Sequence, residues 1–177
     1  MQVRAATKDD LDAVCKAFEA SRAYMASHGN PNQWGDDYPS AADARADLLR
    51  GTLFVCTDEK DEVVGCLTFA PGPDPDYRVI DGAWLNKAPY FVVHRVATLR
   101  QGEGVGGAML DWVCATATNV RTDTHAGNAS MQALLASRSF VPCGTVRLAR
   151  AGERQAYHFV RETDELQRKR RLWEMLP

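Results

Sequence analysis

Apolar positions change their period several times along the chain, and each change predicts an element. Val3–Ala5 reads as a short strand. Thr7 stands three residues before Asp10, the spacing of a helix cap, and Leu11, Val14, Cys15 and Phe18 then recur at helical intervals. HGNPNQWGDDYPS breaks that helix and places Trp34 and Tyr38 on a loop. Ala41–Leu49 reads as a short helix closed by Gly51, and TLFVCTDEKDEVVGCLTFA as two β-rich runs joined by a charged turn at Asp58–Asp61. PGPDPDYR is too rich in Pro and Gly for regular structure. PYFVVHRVAT is a nearly continuous β-branched run, as a central strand should be. Gly104 to Asn119 follows as a helix with Met109, Leu110, Val113, Cys114 and Ala117 on one face. VRTDTH is then a strand, Asn128 to Arg138 a helix with Met131, Leu134 and Leu135 inward, and VPCGTVRLARAGERQAYHFVRE a hairpin before a polar helical tail. No repeat, low-complexity tract or linker interrupts this order, so the expectation is one domain over residues 1–177.

Composition adds exclusions. A chain of 177 residues with 45% hydrophobic and 25% charged residues is an ordinary globular composition. The net charge of −2 gives no electrostatic reason to expect a nucleic-acid partner, and no apolar run approaches a membrane span. MQVRAATKDDLDA does not read as a signal peptide. The five cysteines are widely spaced without a C-x-x-C, so neither a disulfide framework nor a metal site is expected. Buried thiols in a reducing cytoplasm are the expectation. The basic run Arg168-Lys169-Arg170-Arg171 reads as a solvated helix face; self-association into a homodimer stays open.

The chemistry concentrates in RQGEGVGGAML. Gly102, Gly104 and Gly107 spell G-x-G-x-x-G, a dinucleotide-binding turn, while Gln101, Gly104 and Gly106 spell Q-x-x-G-x-G, a coenzyme A pyrophosphate turn. Both motifs present backbone N–H groups of a helix N-terminus to phosphate oxygens. Asp123, about 20 residues on, stands where a ribose-binding acid belongs. Against the nicotinamide reading, Thr98-Leu99-Arg100-Gln101 separate strand from glycines, and the preceding runs form an antiparallel hairpin rather than βαβ repeats.

HRVAT, LRQGEGVGG, AMLDWV, VRTDTH and NASMQALLASRSF, in that order, resemble the core of the GNAT superfamily of N-acetyltransferases, and the elements before them resemble its N-terminal half. DTHAGNASMQALLASRSF, NQWGDDYP and DGAW are similar to a bacterial branch of it. The resemblance implies an α/β (α+β) fold: a mixed, mostly antiparallel sheet of about six to seven strands with helices on both faces. It also implies a splay between the fourth and fifth strands. It implies acetyl-CoA as cosubstrate, held by the backbone of Val96, Ala97 and Thr98, by the turn Gln101, Gly102, Glu103, Gly104, Val105, Gly106 and Gly107, and by Asn128, with no metal.

Acetyl transfer to an amine needs a base, because an ammonium of pKa near 10.4 is only about 0.04% neutral at pH 7. His94 is the candidate, on the strand face expected to carry Val92, Val96 and Thr98; some arylalkylamine acetyltransferases of the superfamily carry a catalytic His at the matching position. Trp34, Tyr38, Tyr77 and Trp84, in loop-like contexts, are the expected acceptor walls, with Asp74 and Asp76 nearby to attract a cation. Asp123 and His125 are expected to orient the loop before Asn128. Many members have a Tyr seven residues after the helix-start Asn; here that position is Leu135, and the Gly of their Gly-Phe is Ser139. The sequence thus supports transfer of acetyl from acetyl-CoA to a primary amine of a small molecule or peptide. The alternative is a non-catalytic acyl-CoA-binding or protein-interaction domain of the same fold.

Overall fold

The computed structural model describes residues 1–161; the basic run Arg168–Arg171 and the tail around it lie outside the described residues. Eight strands form one sheet: β1 (Gln2–Ala5), β2 (Leu53–Thr57), β3 (Val63–Pro71), β4 (Ile80–Gly82), β5 (Phe91–Thr98), β6 (Asn119–Thr124), β7 (Val141–Leu148) and β8 (Gly152–Val160). Their spatial order is β1-β2-β3-β5-β6-β8-β7-β4, and every neighbouring pair is antiparallel except β5–β6. Among the described residues four α-helices accompany the sheet: α1 (Leu11–Ser27), α2 (Ala41–Leu49), α3 (Val105–Thr116) and α4 (Ala129–Ala136). The parallel pair is joined through α3, as a crossover between parallel strands requires.

The sequence pattern missed β4. Three residues are too few to display alternation, and Gly82 sits at φ +129°, outside ordinary strand geometry. Ile80, Asp81 and Gly82 nevertheless pair with Val146, Thr145 and Gly144 and close the far edge of the sheet.

The helices start where short polar side chains replace missing backbone partners. Thr7 N–H donates to Asp10 Oδ2 at 2.7 Å, and Asp10 is fixed by Arg4 at 2.8 Å. Ser40 and Asp43 cap α2 reciprocally, Ser40 N–H donating to Asp43 Oδ2 at 2.8 Å and Asp43 N–H to Ser40 Oγ at 3.3 Å. α3 stops at Thr116, short of the expected Asn119, because Ala117 is extended and Asn119 already belongs to β6. There the Asn119 side-chain amide donates to Pro89 O at 2.8 Å.

Helices cover both faces. On one, α3 packs Val105, Met109, Leu110 and Val113 against Val64, Leu67, Phe69 and Val93. On the other, Val14, Ala17 and Phe18 of α1 and Ala44 of α2 meet Leu53, Val55, Cys66 and Ala97. The alternation of β2, with Leu53 and Val55 to one side and Phe54 and Cys56 to the other, separates the two layers.

Candidate active site

β5 carries one residue too many for its partner. Cys66 stands opposite Ala97 and Thr68 opposite His94, so Leu67 of β3 is matched by both Arg95 and Val96. Arg95 takes up the mismatch at φ +52°, a conformation that costs a non-glycine residue about 1–3 kcal/mol. His94 and Arg95 consequently both line one cleft, while Val96, which borders the same cleft, packs with the α3 layer and Ala97 with the α1 layer. This corrects the expectation that His94 shares a face with Val96, which assumed unbroken alternation.

β5 and β6 pair only at Phe91–Val120, Val92–Arg121 and Val93–Thr122. Thr122 Oγ1 donates to Val93 O at 2.8 Å at the base of the gap, and beyond it the strands part. The cleft of about 410 Å³ that opens there runs from Gly102–Gly107 past Val96 and His94 to Trp34, Tyr38 and Arg154.

At one end Gly102 and Gly104 adopt φ +78° and +79°, and a Cβ built on either would meet nothing within 4 Å. Gly104 begins α3, and Ala108 N–H donates back to its carbonyl at 2.9 Å. The N–H groups of Val105, Gly106 and Gly107 therefore precede the first intrahelical bond. Of the turn glycines, Gly102 and Gly104 have a positive φ and Gly106 does not. Gly106 is already helical, and a Cβ there would lie 3.0 Å from Leu134 Cδ2, so its smallness serves the approach of α3 to α4. Gln101 donates to Thr98 O at 3.1 Å, and Arg100 pairs with Asp58, Glu62 and Glu103. Asn128 caps α4 by accepting from Met131 N–H at 3.1 Å, and its amide donates to Gln33 Oε1 at 2.8 Å.

Midway, His94 lies between two carboxylates. Its Nε2 is 2.9 Å from Asp74 Oδ2 and its Nδ1 3.7 Å from Asp123 Oδ1. Burial alone would raise Asp74, but the His94 hydrogen bond and the Asp76 N–H hold it below the usual carboxylate range. Burial dominates at Asp123 and pushes its pKa up, although His94 and Tyr77 act against it. Tyr77 Oη donates to Asp123 Oδ1 at 2.6 Å; burial first and Asp123 second raise the phenol well above its ordinary value, so it stays a neutral donor. A carboxylate at Asp74 is placed to accept from Nε2–H of the His94 ring, an arrangement that turns Nδ1 toward Asp123.

At the far end Trp34 meets Phe18 and Tyr38 edge-on at 6.1 and 6.4 Å, and Tyr38 lies 5.5 Å from the Arg95 guanidinium. Arg95 is itself held by the buried Asp47 at 2.7 Å. Tyr77 and Trp84 are not cleft walls. The turn Pro75–Tyr77 folds back onto the sheet, burying Tyr77 beneath His94, while Trp84 donates to Tyr77 O at 3.1 Å and stacks 4.4 Å from Arg121. His125 does organise the loop before α4, accepting from Gly127 N–H at 3.1 Å, whereas Asp123 turns to His94 instead. Among the described residues no group of three or more His, Cys, Asp or Glu side chains is placed to hold a metal ion.

No family model and no curated protein matches the chain. Solved structures do. A GNAT-family acetyltransferase from Streptococcus agalactiae is 29% identical, with a TM-score of 0.84 over 92% of this chain and 96% of that one. The ribosomal-protein-alanine N-acetyltransferase of Brucella melitensis is 19% identical, with a TM-score of 0.62 over 90% and 99%. A GNAT-superfamily phosphinothricin acetyltransferase from Sinorhizobium meliloti, in complex with AcCoA, is 17% identical, with a TM-score of 0.60 over 93% and 90%.

The chain has the GNAT acetyltransferase fold. Within this GNAT frame, Leu135 is fully buried against α3 and does not line the cleft. Ser137 is exposed and donates to Leu134 O at 2.7 Å, and Ser139, just beyond α4, sits at φ +61°, a conformation that glycine adopts more readily. Sequence reasoning missed the Tyr77–Asp123 pair, which joins residues 46 apart. It also missed Arg95 and Arg154. Arg95 is turned into the cleft by a bulge that no local signal announces, and Arg154 sits in a polar hairpin where an exposed side chain is the usual outcome.

Proposed function

We propose that the protein transfers acetyl from acetyl-CoA to a primary amine. The observation that carries this reading is one continuous cleft joining an open glycine turn at a helix N-terminus to a carboxylate-flanked histidine. The turn fits a diphosphate: Gly102 and Gly104 leave space above the backbone, and the unsatisfied N–H groups and helix dipole favour an anion. The edge of β5 beyond Val93 lies open toward the gap, suited to pairing with the amides of a pantetheine arm as an added strand would.

When bound, acetyl-CoA supplies the acetyl group as a reactive thioester. The residues of the chain do the rest. Val105, Gly106 and Gly107 bind the phosphates, and the β5 backbone orients the arm. His94 Nδ1 takes the proton of the acceptor ammonium, directly or through a water, while Asp74 fixes the ring and stabilises the imidazolium that forms. The amine nitrogen bonds to the acetyl carbon and the carbon–sulfur bond breaks; the nitrogen gives up its second proton, through water, to the departing thiolate, a tolerable leaving group for a thiol with a pKa near 8.5. Trp34 and Tyr38 wall the acceptor end. An open cleft, with Trp84 outside it, supports an enzyme over a non-catalytic acyl-CoA binder. The five free thiols suit work in a reducing cytoplasm.

Calorimetric titration with coenzyme A and with NAD, followed by detection of free thiol in an amine screen, tests the reading. Coenzyme A should bind and NAD should not. Tight NAD binding without coenzyme A binding would overturn it, and coenzyme A binding without thiol release from any amine would leave the non-catalytic binder.

A further inference from the structure

Among the described residues three arginines line the cleft, and they differ in one respect. Arg95 is neutralised by Asp47 at 2.7 Å, and Arg100 is paired with Asp58 and two glutamates. Arg154 is the most buried of the three, at 5% exposure, and has no carboxylate within 4.0 Å among the described residues. Its Nη1 donates to Glu153 O at 2.8 Å and its Nη2 to Gln33 O at 3.1 Å. These carbonyls solvate the guanidinium without neutralising it. The neighbouring acid is Asp123, which accepts from Tyr77 and faces His94 instead. A buried cation left with carbonyl partners alone is costly unless something else brings the balancing charge.

We propose that Arg154 is the receptor for a carboxylate on the acceptor, so that the substrates of this cleft are amino acids: small primary amines that also carry a carboxylate. The inference rests on the acetyltransferase reading and extends it to the acceptor. A guanidinium is suited to the planar, two-oxygen geometry of a carboxylate. The cleft places this one along the same wall as His94, near the aromatic side chains of Trp34 and Tyr38. One end of the acceptor is then held by charge while the amine is presented to the base. Because Arg154 also holds Gln33 O, and the Gln33 side chain accepts from Asn128, binding at Arg154 steadies the loop that faces the glycine turn.

The test compares L-amino acids with their own carboxamides as acceptors for acetyl-CoA, with coenzyme A titration and thermal melting on the same preparations. The carboxamides carry the more readily deprotonated amine, so a preference for the acids runs against intrinsic reactivity. The best acids should exceed their amides by about 10- to 100-fold in kcat/KM, the effect of losing a charged hydrogen-bonded partner. Arg154→Gln should erase that preference mainly through KM, and Arg154→Lys should restore part of it. Amides used as well as acids, or a preference that survives Arg154→Gln, overturns the proposal. No turnover of any acid by a protein that binds coenzyme A overturns it too, while leaving the cofactor reading intact. Failure to bind coenzyme A removes both. If Arg154→Gln does not fold, the comparison of acids with amides in the unaltered protein still decides.

Discussion

Tyr77 and Asp123 meet at 2.6 Å, phenol donating to carboxylate, and this contact fixes the acid that faces His94 Nδ1. Tyr77 is buried, so its role is to position a group it holds rather than to touch a substrate. Tyr77→Phe leaves Asp123 buried without its donor. The expected loss is about 1–3 kcal/mol of stability. Asp123 then protonates at higher pH than before, so a step in the pH–rate profile that belongs to Asp123 should move to higher pH. Thermal denaturation and a pH–rate profile of both proteins check this; an unchanged profile would assign Tyr77 to packing alone.

His94→Ala separates an enzyme that deprotonates its amine from one that waits for the neutral fraction. With saturating acetyl-CoA the rate near pH 7 should drop by about 10²- to 10⁴-fold. The deficit should shrink toward pH 9–10, where more of the amine is already neutral. Acetyl-CoA affinity should hold, because backbone groups carry it. A rate loss that does not recover at high pH would make His94 a structural partner of Asp74.

Gly104→Glu places a negative side chain in the open space above the turn. Coenzyme A binding should vanish while the fold survives, at a cost of about 1–3 kcal/mol for the positive φ. Gly51→Glu is the control, since Gly51 also has a positive φ, +68°, and open surroundings but closes α2 far from the cleft. It should lose similar stability and keep its affinity. Gly106→Glu should lose binding and also disturb the α3–α4 contact at Leu134, so its melting temperature should respond to a crowded interface rather than to backbone strain. Calorimetry and melting on the three variants distinguish these cases.

His158 carries an acid-side liability unrelated to the cleft. It is fully buried, accepts from Leu85 N–H at 3.1 Å and meets Asn119 through Nε2. Burial first, then the charge of Arg121, pushes its pKa down to about 4, below the 6.5 of the free side chain. Between those values the unfolded chain binds the proton and the folded one does not, so stability falls as pH falls from about 6.5 toward 4. The melting temperature should drop by several degrees from pH 7 to pH 5. His158→Gln should start lower and show a flatter dependence. A parallel decline in both proteins would place the acid-sensitive group elsewhere.

Local signals carried most of the fold and the donor end of the cleft. Helical spacing, the cap at Thr7 and the charged hairpin turn each depend on neighbours in sequence, and the glycine turn depends on chain order around it. The acceptor end was less legible for a physical reason. Its character depends on a bulge that turns Arg95 inward, on a turn that folds Tyr77 under the sheet, and on the pairing that buries Arg154. Those are consequences of tertiary packing, and the residues involved look like ordinary polar loop and hairpin positions until the strands are assembled.

The bulge in β5 also determines which kinds of change this site can absorb. A substitution there alters one side chain. Removing Arg95 would pair His94, Val96 and Ala97 one-for-one with Thr68, Leu67 and Cys66 and leave each on its present side. What the cleft would lose is the extra side chain itself, with its ion pair to Asp47 and its place beside Tyr38. One inserted residue thus adds a cation to the acceptor wall without exchanging the packed layers on either side of the sheet.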